Sequence, residues 1–252
     1  MTDRWRVAAN LATLANAVLG IGAILYTLGG NTLFAMLLVA IAIGFDGLDG
    51  MLSRRSARPA GRFGRIADSL ADATTFGVAP AVMLAVHTAD AATWAPYAAA
   101  TTAVAAGYLA AAIARLAYFT ARAHALGHFL GVPTPQSALA VVVVLLFHDA
   151  PAYAGVQPIG VVVGACVLAA LMVAPIPYPK IRRGSSLRLA SALTATLGAL
   201  TLVPLQFRPA AGSPVALLAE VAAYGFLVGV ALYYVAGPFT VARDERARAG
   251  PA

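Results

Sequence analysis

Four aspartates carry the chemistry this sequence offers. They lie in residues 45–72, "FDGLDGMLSRRSARPAGRFGRIADSLAD". Asp46 and Asp49 are three residues apart, and Asp68 and Asp72 four apart, so each pair shares one face of a helix. The short connection predicts antiparallel neighbours whose acidic faces meet. The stretch follows "LFAMLLVAIAIG", an apolar run that reads as part of a membrane helix. A carboxylate in the apolar zone costs about 2.5–3.5 kcal/mol, so four without partners approach roughly 10 kcal/mol. That is a large share of a protein's total stability. Something must neutralise them. Mg²⁺ or Mn²⁺ would, because both prefer oxygen ligands. The quartet contains no His or Cys, which argues against zinc. Helix capping, or pairing with Arg54, Arg62 and Arg65, would account for one or two of the four.

Glycine adds a second constraint. Gly44, Gly47 and Gly50 recur every three residues beside the first acidic pair. Glycine permits close approach by another helix or by a ligand. Packing alone would explain Gly44 and Gly47. Gly50, directly after Asp49, is the better ligand candidate. Arg54 follows one turn later, where a guanidinium can hold phosphate. Together these residues suggest a diphosphate-bearing substrate. Its lipid tail would lie between helices and its head in a cytoplasmic pocket.

The elements that must position these residues are membrane helices. The chain has 252 residues, of which 61% are hydrophobic and 11% charged. That charge content is less than half the soluble norm of about 25%. Mean hydropathy is +0.82. The apolar runs suit helices of about 20 residues and lack the alternation of a β-barrel. No cleavable signal peptide, internal repeat or low-complexity tail is expected. Cys166 is the single cysteine and is expected to pack inside an apolar run. Turn signals divide the chain into eight expected spans, near 7–28, 31–53, 65–87, 92–120, 134–149, 156–174, 186–205 and 214–237. The fold class is therefore all-α, a polytopic membrane bundle. Residues 1–205 form its main domain, and 206–252 add a last helix and a tail.

Charge sets the orientation. With eight spans, sixteen of the seventeen Lys and Arg fall on one side and only Arg208 on the other. The positive-inside rule puts that side, with both termini, in the cytoplasm of a multi-pass cell-membrane protein. The net charge of +7 is then mostly a topology signal, with a possible share in holding anionic membrane lipids. Nucleic-acid binding is excluded, because no basic soluble domain exists to carry it.

At these residues the chain resembles the CDP-alcohol phosphotransferase family. The family pattern D-x-x-D-G-x-x-A-R-x8-G-x3-D-x3-D is met by Asp46, Asp49-Gly50, Ser53-Arg54, Gly64, Asp68 and Asp72. Ser53 stands in place of Ala, and one extra residue separates the arginine from Gly64. Arg54 or Arg55 could fill the arginine position; spacing from Gly50 favours Arg54. Three further stretches resemble the membrane-type phosphatidylserine synthases within that family: "DSLADATTFGVAPA" (68–81), "FLGVPTPQSALA" (129–140) and "LMVAPIPYPK" (171–180).

The resemblance implies two divalent ions, Mg²⁺ or Mn²⁺, on the diphosphate of CDP-diacylglycerol. Asp46, Asp49 and Asp68 would be metal ligands. Asp72 would ligate or lie beside the second ion and act as general base on the acceptor hydroxyl, with CMP as leaving group. Gly50, Arg54 and Gly64 would serve the CDP-lipid. The expected acceptor is L-serine, and related enzymes are commonly homodimers. Arg115, inside a span, needs a partner or an anion. With Arg122, Lys180 and Arg182 it is the candidate acceptor set, although snorkelling and topology account for basic residues equally. Glycerol phosphate or inositol phosphate as acceptor, or an archaeal-type ether-lipid donor, remain open. A cation- or proton-coupled transporter is the rival of another class. It predicts ionisable residues continuing across the span, whereas here they stop in the cytoplasmic third.

Overall fold

A computed structural model describes residues 4–56, 61–87, 98–122, 129–149, 158–179 and 212–249, with 198, 201–203, 207 and 209 as isolated positions. Its organisation follows from the first helix, α1 (Arg4–Leu28). The buried residues of α1 are Ala9, Ala12, Asn16, Gly20, Ala23 and Thr27, all small and spaced three or four apart. Leu11, Leu14, Val18, Ile21 and Leu25 face outward. This inverts a soluble helix. Between membrane helices, small residues allow close backbone packing, and large apolar ones are left to the lipid. α1 lies against α2 (Thr32–Ser53) and against the third span.

The connection from α1 to α2 is tight. Gly30 has φ +81°, a conformation glycine adopts without strain. Asn31 caps α2 by accepting from the Phe34 amide at 3.2 Å. The third span is not one regular helix. It runs as α3 (Arg62–Asp72), a π-helical turn (Ala73–Val78) and α4 (Ala79–His87). The Thr75 hydroxyl donates to the Asn16 carbonyl at 2.9 Å, across a crossing where Gly20 leaves no room for a Cβ beside Thr75 Oγ1. On the other side, the buried Tyr108 hydroxyl donates to the Phe76 carbonyl at 3.0 Å. The π turn is therefore held between α1 and the next helix, α5 (Ala98–Arg122).

Two short helices follow, α6 (Thr134–Asp149) and α7 (Pro158–Val173), each of 16 residues. At 1.5 Å per residue each reaches about 24 Å. α6 is buried through most of its length, so it sits in the bundle's centre. The last described helix is α8 (Pro214–Ala249). Among the described residues, five stretches are long and apolar enough to cross a membrane: Arg4–Leu28, Thr32–Ser53, Phe63–Val86, Ala99–Thr120 and Pro214–Arg243.

The expected span near 186–205 falls almost wholly outside the described residues. The described helices lie close to the other expected segments, with three differences of detail. α8 continues to Ala249 rather than ending near 237, although Pro238 lies inside it. The Thr240 hydroxyl donates to the Gly237 carbonyl at 2.7 Å there, and the charged last turns remain helical. A minimal two-stranded ladder interrupts the all-α pattern, β1 (Phe129–Leu130) with β2 (Pro177–Tyr178), antiparallel. Cys166 is exposed rather than packed, because helical period turns Val161, Ala165, Leu168 and Met172 inward instead.

The α1 crossing yields a stability prediction. Gly20→Val overpacks the contact with Thr75, at a cost of about 1–3 kcal/mol. Gly44→Ala and Gly47→Ala meet no atom within 4 Å. Thermal unfolding in detergent should show a midpoint lowered by several degrees for the first and nearly unchanged for the other two. Equal midpoints for all three would refute the close-packed crossing.

Candidate active site

The four aspartates converge between α2 and α3. Ligand-capable oxygens of Asp46, Asp68 and Asp72 all lie within 4.8 Å of one another. Asp49, buried, joins through Asp68, with which its carboxyl is within hydrogen-bonding reach. Like charges at such separation repel by several kcal/mol even at an effective dielectric of about 20. Close packing of this kind needs cations or shared protons.

α1 supplies the neutral half of the site. Thr13 Oγ1 donates to Asp49 Oδ2 at 3.0 Å, and Asn16 Nδ2 donates to Asp72 Oδ1 at 3.0 Å. The sequence reading missed both residues. A signal was present, since Thr13 and Asn16 are polar, three apart and inside an apolar span. Asn16 is fully buried, and its Oδ1 has no partner among the described residues. Its backbone carbonyl accepts from Thr75, so the π turn that follows Asp72 also fixes the residue that holds Asp72. π turns of this kind are frequent at functional sites.

The donor set suits a hard cation. It is all oxygen, from the carboxylates of Asp46, Asp68 and Asp72 with Asp49 beside Asp68. Mg²⁺ or Mn²⁺ fits these residues, and a thiolate- or imidazole-seeking ion does not.

Other expected residues surround the cluster unevenly. Arg54 is exposed at the end of α2, with its guanidinium folded back over Gly50 at 3.4 Å from where a Cβ would stand. Gly44 and Gly47 border open space, so helix packing, which would have explained them, does not. Gly64 lies in the first turns of α3. Beside α3, an apolar groove of about 400 Å³ is lined by Ile66, Leu70, Ile113 and Leu116. It is spanned by a 2.9 Å hydrogen bond between the Ser69 and Thr120 hydroxyls.

Arg115 stands apart from the exposed arginines. It is 7% exposed, and its Nη1 donates to Thr134 Oγ1 at 2.9 Å. The rings of Phe119 and Phe129 lie 5.9 and 5.8 Å from its guanidinium carbon. Its Nε has no partner among the described residues. The plain snorkelling alternative therefore fails for this residue. The backbone around it is built from two of the quoted stretches: Gly131 N donates to Ile176 O at 2.9 Å and Val132 N to Leu171 O at 3.0 Å. Gly131 has φ +71°, and a Cβ there would collide with the Met172 carbonyl. The side chain of Arg122 and all of Lys180 and Arg182 lie outside the described residues.

The cluster predicts a measurable cation response. Mn²⁺ at about 100 times its Kd should contribute roughly 2.7 kcal/mol and raise the thermal midpoint. Asp68→Asn should remove most of that rise. A rise of equal size in the variant would locate cation binding elsewhere.

The sequence matches the CDP-alcohol phosphatidyltransferase description over residues 6–176. It is 28% identical over 184 residues to the CDP-diacylglycerol–serine O-phosphatidyltransferase of Bacillus subtilis (strain 168), covering 72% of this chain and 94% of that protein. It is 29% identical over 177 residues to the enzyme of the same name from Helicobacter pylori (strain J99), covering 69% and 72%. A shorter match, 38% over 76 residues, joins it to an archaetidylserine synthase of Methanothermobacter thermautotrophicus, covering 30% of this chain and 33% of that one. With its acidic pairs, their spacing and the extent of the match in agreement, the chain belongs to the CDP-alcohol phosphatidyltransferase family.

Proposed function

We propose that this enzyme transfers the phosphatidyl group of CDP-diacylglycerol to the hydroxyl of L-serine, forming phosphatidylserine and releasing CMP. The observation that carries the reading is the pairing of two chemistries in one bundle. A carboxylate cluster suits a diphosphate with its cations, and a buried arginine with an unused N–H suits a small anionic acceptor. The names of the two longer relatives point the same way.

In this reading the chain's residues divide the work. Asp46, Asp49, Asp68 and Asp72 would hold two divalent cations. When bound, these would offset the diphosphate charge and polarise its oxygens. Asp72, oriented by the Asn16 amide, accepts the proton of the acceptor hydroxyl. The hydroxyl oxygen bonds to the lipid-side phosphorus as the bond from that phosphorus to CMP breaks. CMP takes the bonding electron pair. Gly50 admits the cytidine part, and Arg54 and Gly64 serve the CDP-lipid. Arg115 holds the serine carboxylate, with Arg122, Lys180 and Arg182 as further members of the acceptor set. The groove beside α3 suits an acyl chain.

The surrounding frame is part of the proposal. Eight spans, with both termini and the site on the cytoplasmic side of the cell membrane, agree with the distribution of Arg and Lys. Residues 1–205 form the catalytic domain, 206–252 complete the bundle, and the enzyme works as a homodimer. The archaetidylserine relative supports a second donor reading, an ether lipid, with the acceptor unchanged. Family membership removes the transporter alternative.

The test is CMP release by purified protein with CDP-diacylglycerol and Mn²⁺, offered serine, glycerol phosphate or inositol phosphate. Serine should support release, and Asp72→Asn should lower it by about 10²-fold or more. Release only with a phosphorylated acceptor would overturn the serine assignment and keep the donor chemistry. Release that persists in Asp72→Asn would overturn the base assignment.

A further inference from the structure

The matched family stretch ends at residue 176, and α8 lies wholly beyond it. Yet α8 does not merely lean on the outside of the bundle. The Tyr233 ring stacks on Tyr178, with centroids 5.7 Å apart and planes inclined by 23°. The Tyr234 hydroxyl donates to the Gln136 carbonyl at 3.2 Å, two residues beyond Thr134. Gly237 comes so close that a Cβ would stand 3.1 Å from Pro179 Cδ and 3.2 Å from the Tyr178 ring. Tyr178 is paired in the ladder with Phe129, whose ring faces the Arg115 guanidinium. α8 is thus seated on Tyr178 and Gln136, which adjoin the residues around Arg115: Tyr178 pairs with Phe129, and Gln136 follows Thr134 by two positions.

Two observations point to a ligand rather than to packing alone. Arg115, more than nine-tenths buried, keeps an Nε–H with no partner among the described residues. Tyr233 is only part-buried, despite its stack, and that stack is on Tyr178, whose ladder partner Phe129 faces the Arg115 guanidinium. A guanidinium N–H and a phenol O–H can converge on the two oxygens of one carboxylate.

We propose that α8 forms one wall of the acceptor subsite, and that Tyr233 is a specificity-determining residue acting with Arg115 on the anionic group of a small hydroxyl-bearing acceptor. The inference rests on the reading of Arg115 as an acceptor-binding residue. It adds a helix outside the matched stretch to the substrate-binding machinery. The phenol hydroxyl donates to the anion, and the Tyr178 stack holds the ring in place.

Tyr233→Phe separates the two roles of the residue, because it keeps the stack and removes the hydroxyl. The full-length protein in detergent, with CDP-diacylglycerol and Mn²⁺, is titrated with whichever acceptor supports CMP release. A parallel thermal melt is run with and without that acceptor. Tyr233→Phe should raise the acceptor KM about tenfold, the loss of one hydrogen bond to a charged group. The donor KM and the ligand-free midpoint should stay unchanged, and the acceptor-induced rise in midpoint should shrink. Arg115→Lys in the same assay tests the underlying reading. A raised acceptor KM for Arg115→Lys with no change for Tyr233→Phe, in either KM or melt, would overturn the role of α8 alone. No change for Arg115→Lys would overturn the acceptor site itself, and the proposal with it.

Discussion

The constraint on which this bundle depends is the confinement of four carboxylates between two helices of low dielectric surroundings. Isolated, each would be costly, and together they repel. The fold answers with a third helix that brings neutral donors rather than cations. Thr13 and Asn16 each give one hydrogen bond to one aspartate. A lysine or arginine in their place would cancel carboxylate charge that would otherwise draw a cation. Neutral donors hold geometry and leave the charge free for the ligand.

That arrangement sets the shape of α1. To bring Thr13 and Asn16 to the aspartates, the helix axis must come close, and side chains of no more than four heavy atoms along the seam permit it. Its large apolar residues point the other way, toward lipid. The inner face is thus chosen by distance to the site and the outer face by the solvent. The same division recurs near Arg115. There the buried charge is surrounded by two aromatic faces and one hydroxyl, and the backbone behind it is fixed by Gly131 and the short ladder.

Much of this was legible in the sequence, because long apolar runs and Asp spacing are local signals. The bounds of α1, α2, α6 and α7, and the meeting of the two Asp pairs, follow from composition and helical period. The π turn was not legible, since an isolated glycine such as Gly77 in "ATTFGV" is tolerated in ordinary helix and does not signal a π turn. Thr13 and Asn16 were visible but unweighted, because their meaning lies in a partner 36 or 56 residues away. The pairing of "FLGVPTP" with "APIPYP" was hidden for the same reason. Each reads alone as turn chemistry, and only their register across the bundle makes them one structure. The path of α8 through Pro238 contradicts a local stop signal. A proline there forgoes only the amide bond to the Tyr234 carbonyl, and the helix continues on both sides.

The π turn after Asp72 has a consequence for how the third span is constrained. Such a turn amounts to one residue inserted into an α-helix, so the two flanking segments differ in rotational phase by about one residue. The half that carries Asp68 and Asp72 is therefore decoupled in azimuth from the half that carries Met83 and Leu84. A continuous helix would have to satisfy the carboxylate cluster and the bundle centre with one shared stripe. Here each half presents its own stripe: Asp68 and Asp72 face the acidic cluster, while Met83 and Leu84 are buried in the core.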